Sequence, residues 1–203
     1  MRYDETHKQE TRKRVVKAAA AAVRARGPDG VSVAEIMKEA GLTHGGFYAH
    51  FASKDALLAE AIGEAFTQSR RRMPLYDEAL SDDAALEGFV DRYVSAVHRD
   101  HPETGCVIAA MSSHIPRQAA PVREVFDRGV TGLVAGIAAR LTRTPPEDRE
   151  ELAASLLAEA SGAVALARAV ADRDLSNRLL AQSRRRIKAR AGLAQPDTNK
   201  DLS

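Results

Sequence analysis

Apolar residues recur at three- and four-residue intervals along almost the whole chain, and nowhere do they alternate every second residue. That period is the signature of amphipathic helices, and its persistence excludes a sheet-based fold. The stripes are Val15, Val16, Ala19, Ala20 and Val23; then Leu57, Leu58, Ala61, Ile62, Ala65 and Phe66; then Leu86, Phe89, Val90, Tyr93, Val94 and Val97. Val125 to Leu141, Leu152 to Val170 and Leu175 to Ile187 continue the pattern. Breakers punctuate it at Gly27-Pro28, Gly41, Pro74, His101-Pro102, Pro116 and Pro145-Pro146. The expectation is an all-α protein with three short helices in front and about six behind. Thr6, with Gln9 three residues on, has the spacing of a helix start, and Pro145-Pro146 opens a helix of about 26 residues. The segment from Gly192 is polar, holds Pro196 and reads as a disordered tail.

At 203 residues with 44% hydrophobic content, the chain is long and apolar enough to bury a core in one large or two small domains. Cys106 is the single cysteine, which excludes an internal disulfide framework and a Cys-rich zinc module and fits a reducing compartment. Residues 1–17 are polar where a secretory signal would be apolar, and no unbroken apolar run reaches the roughly 18 residues of a membrane span. A soluble, cytoplasmic chain with no membrane partner is expected. The net charge of +2 conceals a split, with +4 through Lys54 and −2 over the rest. A basic first quarter on a near-neutral remainder describes a small polyanion-binding head.

Within that quarter, residues 32–54 read S-V-A-E-I-M-K-E-A-G-L-T-H-G-G-F-Y-A-H-F-A-S-K. Ser32 and Glu35 form a capping box before one short helix, Gly41 suits a sharp turn, and Thr43 is placed to cap a second short helix running to about Phe51. Two short helices about such a turn make a helix-turn-helix, whose second helix enters the DNA major groove with its first residues nearest the base edges. His44, Gly45 and Gly46 occupy those positions. Two adjacent glycines there cost about 1 kcal/mol each against Ala, which close approach to a partner would offset. Tyr48 and His50 lie on faces able to donate to phosphates, Phe47 and Phe51 pin the helix to a small core, and Ser53-Lys54 opens the next helix as a phosphate clamp.

The string from Gly41 to Leu58, G-L-T-H-G-G-F-Y-A-H-F-A-S-K-D-A-L-L, together with Ser32 to Ala40, resembles the signature of the TetR family of bacterial transcriptional regulators over roughly residues 10–65. The resemblance implies a DNA-binding domain over 1–69, a ligand-binding and dimerisation domain over 70–192, and the tail 193–203. It implies a homodimer on a palindromic DNA operator, most often a repressor released when a small-molecule effector swings the heads out of register. Position by position, Ser32, Thr43, Tyr48, His50 and Lys54 match phosphate contacts, and His44, Gly45 and Gly46 match base-facing positions. The Gly45-Gly46 pair is a mild departure from the many members that carry a larger side chain at one of these positions. No cofactor or metal is implied.

For the remainder, Ala160, Ala163 and Ala167 permit close helix approach while Leu156, Leu179 and Ile187 supply apolar area, so these six are the expected dimer interface. Phe89, Tyr93, Val97, Met111, Phe126 and Val130 are candidates for an apolar pocket, with His114 as its polar anchor. Cys106 at a helix start raises a second reading, a thiol that senses oxidants or electrophiles on the same fold. His98, His101 and Cys106 match no standard metal spacing. An all-helical enzyme is disfavoured: no Glu has a His three residues on, and neither a phosphate loop nor G-x-S-x-G is present. Gly129, Gly132 and Gly136 read as packing notches inside a helix.

Overall fold

The computed structural model describes residues 2–193, without the side chains of residues 2–6 and of His44. The expected disordered segment from residue 194 onward lies outside the described residues. Among those described, nine α-helices follow in order: α1 (Arg2–Arg26), α2 (Val33–Glu39), α3 (Lys54–Arg72), α4 (Asp82–Tyr93), α5 (Ala96–Asp100), α6 (Val107–Met111), α7 (Ala120–Arg140), α8 (Arg149–Ala169) and α9 (Arg173–Arg190). Tight 3-10 turns at His44–Ala49, Pro74–Tyr76, Pro102–Thr104, Ile115–Arg117 and Pro146–Asp148 connect them. The chain divides into two compact units. One runs through Arg70 and includes His101–Val130; the other comprises Arg71–Asp100 and the chain from Thr131.

In the first unit, α1 buries Val15, Ala19, Ala20 and Val23. Its alanines leave room for Ile36 and Met37 of α2, Phe47 and Phe51, and Leu57, Leu58, Ala61 and Ile62 of α3, all buried. Full burial of a Phe or Leu side chain contributes roughly 1.5–3 kcal/mol, so this small core rests on few large residues. The helix starts at Arg2, not at Thr6, and at 25 residues is not short. Its polar first half includes Glu5, Lys8, Gln9, Glu10, Arg12, Lys13 and Arg14, residue types that are good helix formers without any packing. Gly41, at φ +75°, ends α2: Leu42 N–H donates to Met37 O (2.8 Å) and Gly41 N–H to Lys38 O (3.0 Å). This is the six-to-one closure that only a left-handed residue permits. Further on, Gly129 abuts Phe66, whose ring lies 2.1 Å from where a Cβ would sit, while Gly132 has nothing within 4 Å. The first is a packing notch and the second is not.

In the second unit, α8 and α9 pair closely. Asp172 caps α9 by accepting from Asp174 N–H (2.9 Å) and Leu175 N–H (3.2 Å). Gly192 (φ +71°) closes α9 in the manner of Gly41, and Leu193 is buried, so chain expected in the tail belongs to the helix terminus. Pro146–Asp148 forms a 3-10 turn, which shortens the expected 26-residue helix to the 21 residues of α8. Pro146–Ala169 is long and apolar enough to cross a membrane by length and composition alone. Here Ala153, Leu156, Leu157, Ala160, Ala163, Val164 and Ala167 of α8 are buried within the unit as an ordinary core face. The Leu86–Val97 stripe is interrupted: α4 ends at Tyr93, Val94 leaves helical geometry (ψ 66°), and α5 restarts at Ala96. The restart turns Val97 outward, where it is 72% exposed.

Candidate nucleic-acid interface

The helix-turn-helix begins at Ser32, whose hydroxyl accepts from Glu35 N–H at 3.1 Å and so satisfies one of the unpaired donors at the start of α2. The reciprocal half of the expected capping box is diverted, since the Glu35 carboxylate accepts from Arg26 (3.2 Å). After the Gly41 turn, Thr43 sits in extended geometry at the start of the second helix but makes no side-chain cap. His44–Ala49 winds as a 3-10 helix, in place of the expected α-helix, with Gly46 N–H on Thr43 O (3.1 Å). At six residues it is longer than most 3-10 runs.

Phe47 and Phe51 anchor this helix, stacked with ring centroids 5.6 Å apart and each 2% exposed. Tyr48 meets Phe47 edge-on at 5.2 Å, which braces its ring while leaving the residue 75% exposed. Nothing lies within 4 Å of a Cβ built on Gly45, and Met37 at 3.7 Å is the closest atom to one on Gly46. Packing inside the protein therefore does not require glycine at either place. The His44 side chain, expected to face bases, lies outside the description. His50 is half-buried, and burial first, then the charges of Lys8 and Arg12, hold its pKa below the usual 6.5. Its Nδ1 is buried without a hydrogen-bond partner. The tautomer with the proton on Nε2 avoids burying an unpaired N–H, and so keeps a neutral donor at the other nitrogen. Ser53 accepts from Ala56 N–H (3.1 Å), and Lys54 is exposed at the start of α3.

Charge at the head is less available than its count implies. Arg24 is 4% exposed and donates to Glu103 O (2.8 Å) and Gln68 Oε1 (2.9 Å) within the first unit. Arg26 engages Glu35 and Glu39, and Arg12 engages Glu60. Lys8, Lys13, Arg14, Lys17 and Lys54 remain exposed. A count along the sequence cannot detect acceptors 79 residues away, as Glu103 is from Arg24.

The other expected sites fall as follows. In the second unit Phe89 and Tyr93 are buried with rings 5.3 Å apart, and the Tyr93 and Ser161 hydroxyls share a 2.8 Å hydrogen bond. Val97 is exposed, as described. In the first unit Met111 and Phe126 are buried, Phe126 edge-on to Phe66 at 5.9 Å, and Val130 is half-buried. The His114 ring lies against Gly27, 3.1 Å from a Cβ position there. Cys106 is 3% exposed, immediately before the five-residue α6. Leu156, Ala160, Ala163, Ala167 and Ile187 are buried within the protomer and Leu179 half so. A second copy would thus meet other side chains. The outward face of α8 carries Ala154, Ala158, Ala165, Leu166 and Ala169, with open space at Gly162.

Sequence reasoning also missed a buried polar cluster in the second unit. Burial pushes the His98 pKa down to about 4, although its Nδ1–H donates to Tyr93 O at 2.6 Å. Arg99, 5% exposed, donates to Ser176 (2.9 Å), Asn177 (2.8 Å) and Asp100 (2.8 Å). Hydrogen bonds from Arg99 and then Arg173 hold the Asp100 carboxyl well below the usual carboxylate range.

Helices and tight turns throughout the described residues, with a braced, solvent-facing second helix after a glycine turn, define a helix-turn-helix protein. The model of bacterial regulatory proteins of the tetR family matches residues 15–61. That of the C-terminal domain of LmrA/YxaF-like transcriptional regulators matches residues 83–177. Over 62 residues the chain is 44% identical to the uncharacterized HTH-type transcriptional regulator YdgC of Bacillus subtilis (strain 168), a match covering 30% of this chain and 32% of that protein. The match thus spans about a third of that curated relative. Among solved structures, E. coli NemR in its reduced form superposes with a TM-score of 0.76 at 19% identity, covering 93% of this chain and 100% of that one. A TetR transcriptional regulator from Chloroflexus aurantiacus J-10-FL gives 0.74 at 26% identity, covering 90% and 96%. The chain belongs to the TetR family of transcriptional regulators, which is not a family of enzymes.

Proposed function

We propose that the chain represses transcription by binding a palindromic DNA operator as a homodimer, and that a small molecule releases it. The observation that carries the DNA reading is the surface of the His44–Ala49 helix. Tyr48 meets Phe47 edge-on yet is 75% exposed, beside glycines that the protein's own packing does not demand. In this reading His44, Gly45 and Gly46 lie against base edges, and the bare backbone at 45 and 46 lets the groove wall approach. Ser32, Thr43, Tyr48, neutral His50 and Lys54 hold phosphates on either side. Phosphate contacts place the helix and base contacts select the sequence.

The dimer follows from the small number of free cations per head. Salt-sensitive contacts by one head bind weakly, whereas a second, linked head binds intramolecularly. The outward α8 face of Ala154, Ala158, Gly162, Ala165 and Leu166 is the surface we assign to the second copy, since small residues let helix backbones approach. The small-molecule effector is assigned from membership of the family.

A gel-shift titration on self-selected and random duplexes tests the reading. Specific binding at least about a thousandfold tighter is expected for an operator-reading protein. Equal affinity for both duplexes would reduce the chain to a non-specific DNA coat, and no binding to either would remove the function altogether.

A further inference from the structure

Among the cations of α1, Arg12 is placed unlike a phosphate ligand. Its guanidinium donates through one nitrogen to the carbonyl oxygen of His50 and through the other to the carboxylate of Glu60 on α3. It also lies 4.5 Å from the centroid of the Phe51 ring. His50 ends the second helix of the turn motif, and its own N–H is bonded to Phe47 O at 2.9 Å. A carbonyl at a helix C-terminus has no acceptor role left within the helix, and a cation there satisfies it and favours the negative end of the dipole. Cation and ring add a further attraction. One planar group thus ties α1, the end of the reading helix and α3 together. A lysine, with a compact ammonium in place of a fork, cannot reproduce both bonds in one plane.

We propose that Arg12 is a positioning residue for DNA reading: it fixes the C-terminal end of the His44–Ala49 helix, and through it the angle at which that helix meets the groove. Its charge is balanced by Glu60, so it displaces few counterions from DNA. The proposal rests on the DNA-binding reading above and separates from it by sign. Glu60→Gln removes a negative charge from the head, which by charge alone tightens DNA binding. Under the proposal it frees one arm of the clamp and weakens discrimination.

The test uses full-length wild type, Arg12→Gln, Arg12→Lys and Glu60→Gln. Each is titrated with self-selected and random duplexes across roughly 50–200 mM salt, and hydrogen–deuterium exchange of residues 44–51 is recorded without DNA. For all three variants the ratio of selected- to random-duplex affinity should fall about tenfold, the scale of one misread base pair, with the selected duplex bound more weakly in each. The salt slope should stay at the wild-type value, and amides of 44–51 should exchange faster. Equal losses on both duplexes with a slope shallower by about 0.9 would make Arg12 a phosphate contact and overturn the proposal. Tighter binding by Glu60→Gln, or unchanged exchange at 44–51, would also overturn it. If Arg12→Gln does not fold, Arg12→Lys and Glu60→Gln decide the same comparison. Failure of wild type to bind any duplex would sink the DNA reading instead, while the exchange measurement would still judge the clamp.

Discussion

In the first unit Tyr48 is 75% exposed and a Cβ on Gly45 would touch nothing; in the second, Arg99 is 5% exposed, with its guanidinium bonded to Ser176, Asn177 and Asp100. The two regions dispose of polar and aromatic chemistry in opposite ways. Around the reading helix it is braced from behind and left facing water, so removing it should cost binding and little stability. Around α5, α8 and α9 it is buried and answered by partners, so removing it should cost stability. Burial with satisfied hydrogen bonds, not residue type, separates a structural arginine from a functional one.

The comparison can be broken most severely at Arg99. Arg99→Ala leaves the buried Ser176 hydroxyl without its charged donor, takes one partner each from the exposed Asn177 and Asp100, and should lower unfolding free energy by about 3 kcal/mol in urea titration. A loss within about 0.5 kcal/mol, as at ordinary surface sites, would show the cluster to be decoration. Next comes pH. The His98 ring has a folded pKa of about 4 against 6.5 when unfolded, so between those values the unfolded state binds more protons. Stability is therefore full above pH 6.5 and declines as pH falls toward 4, by up to about 3 kcal/mol. Urea midpoints across that window should fall with pH in wild type and less steeply in His98→Gln.

Smaller effects separate two glycines on one helix. Gly129→Ala drives a methyl into the Phe66 ring and should destabilise by about 1–3 kcal/mol. Gly132→Ala meets open space and should stabilise by about 1 kcal/mol through helix propensity. Thermal melts of the pair with opposite signs confirm the notch. Smallest in stability is Tyr48→Phe, expected within about 0.5 kcal/mol of wild type. Its DNA affinity should fall about tenfold on selected and random duplexes alike, as loss of a hydrogen bond to a charged phosphate requires.

Much of this was legible in the sequence. Helical period identified the fold class, and Gly41 with Phe47 and Phe51 located the turn and its anchor. The break at Val94–Ser95 was not legible, because no Gly or Pro marks it, and Val97 was therefore assigned inward. On α8 the stripe of Leu156, Ala160, Ala163 and Ala167 was legible and is buried, but periodicity cannot tell whether such a stripe packs within the protomer or against a second copy. The roles of Arg12 and Arg24 depend on partners 38 to 79 residues away, which charge patterning cannot reveal. The 3-10 winding of His44–Ala49 and the missing Thr43 cap were not legible either, since Thr43 is a residue type that commonly caps.

The most direct test is hydrogen–deuterium exchange of the full-length protein with and without its self-selected duplex. The account predicts that DNA slows exchange at residues 43–54 and leaves residues 93–100 and 173–177 as they were. Protection around Arg99 and His98 with none at 43–54 would contradict it.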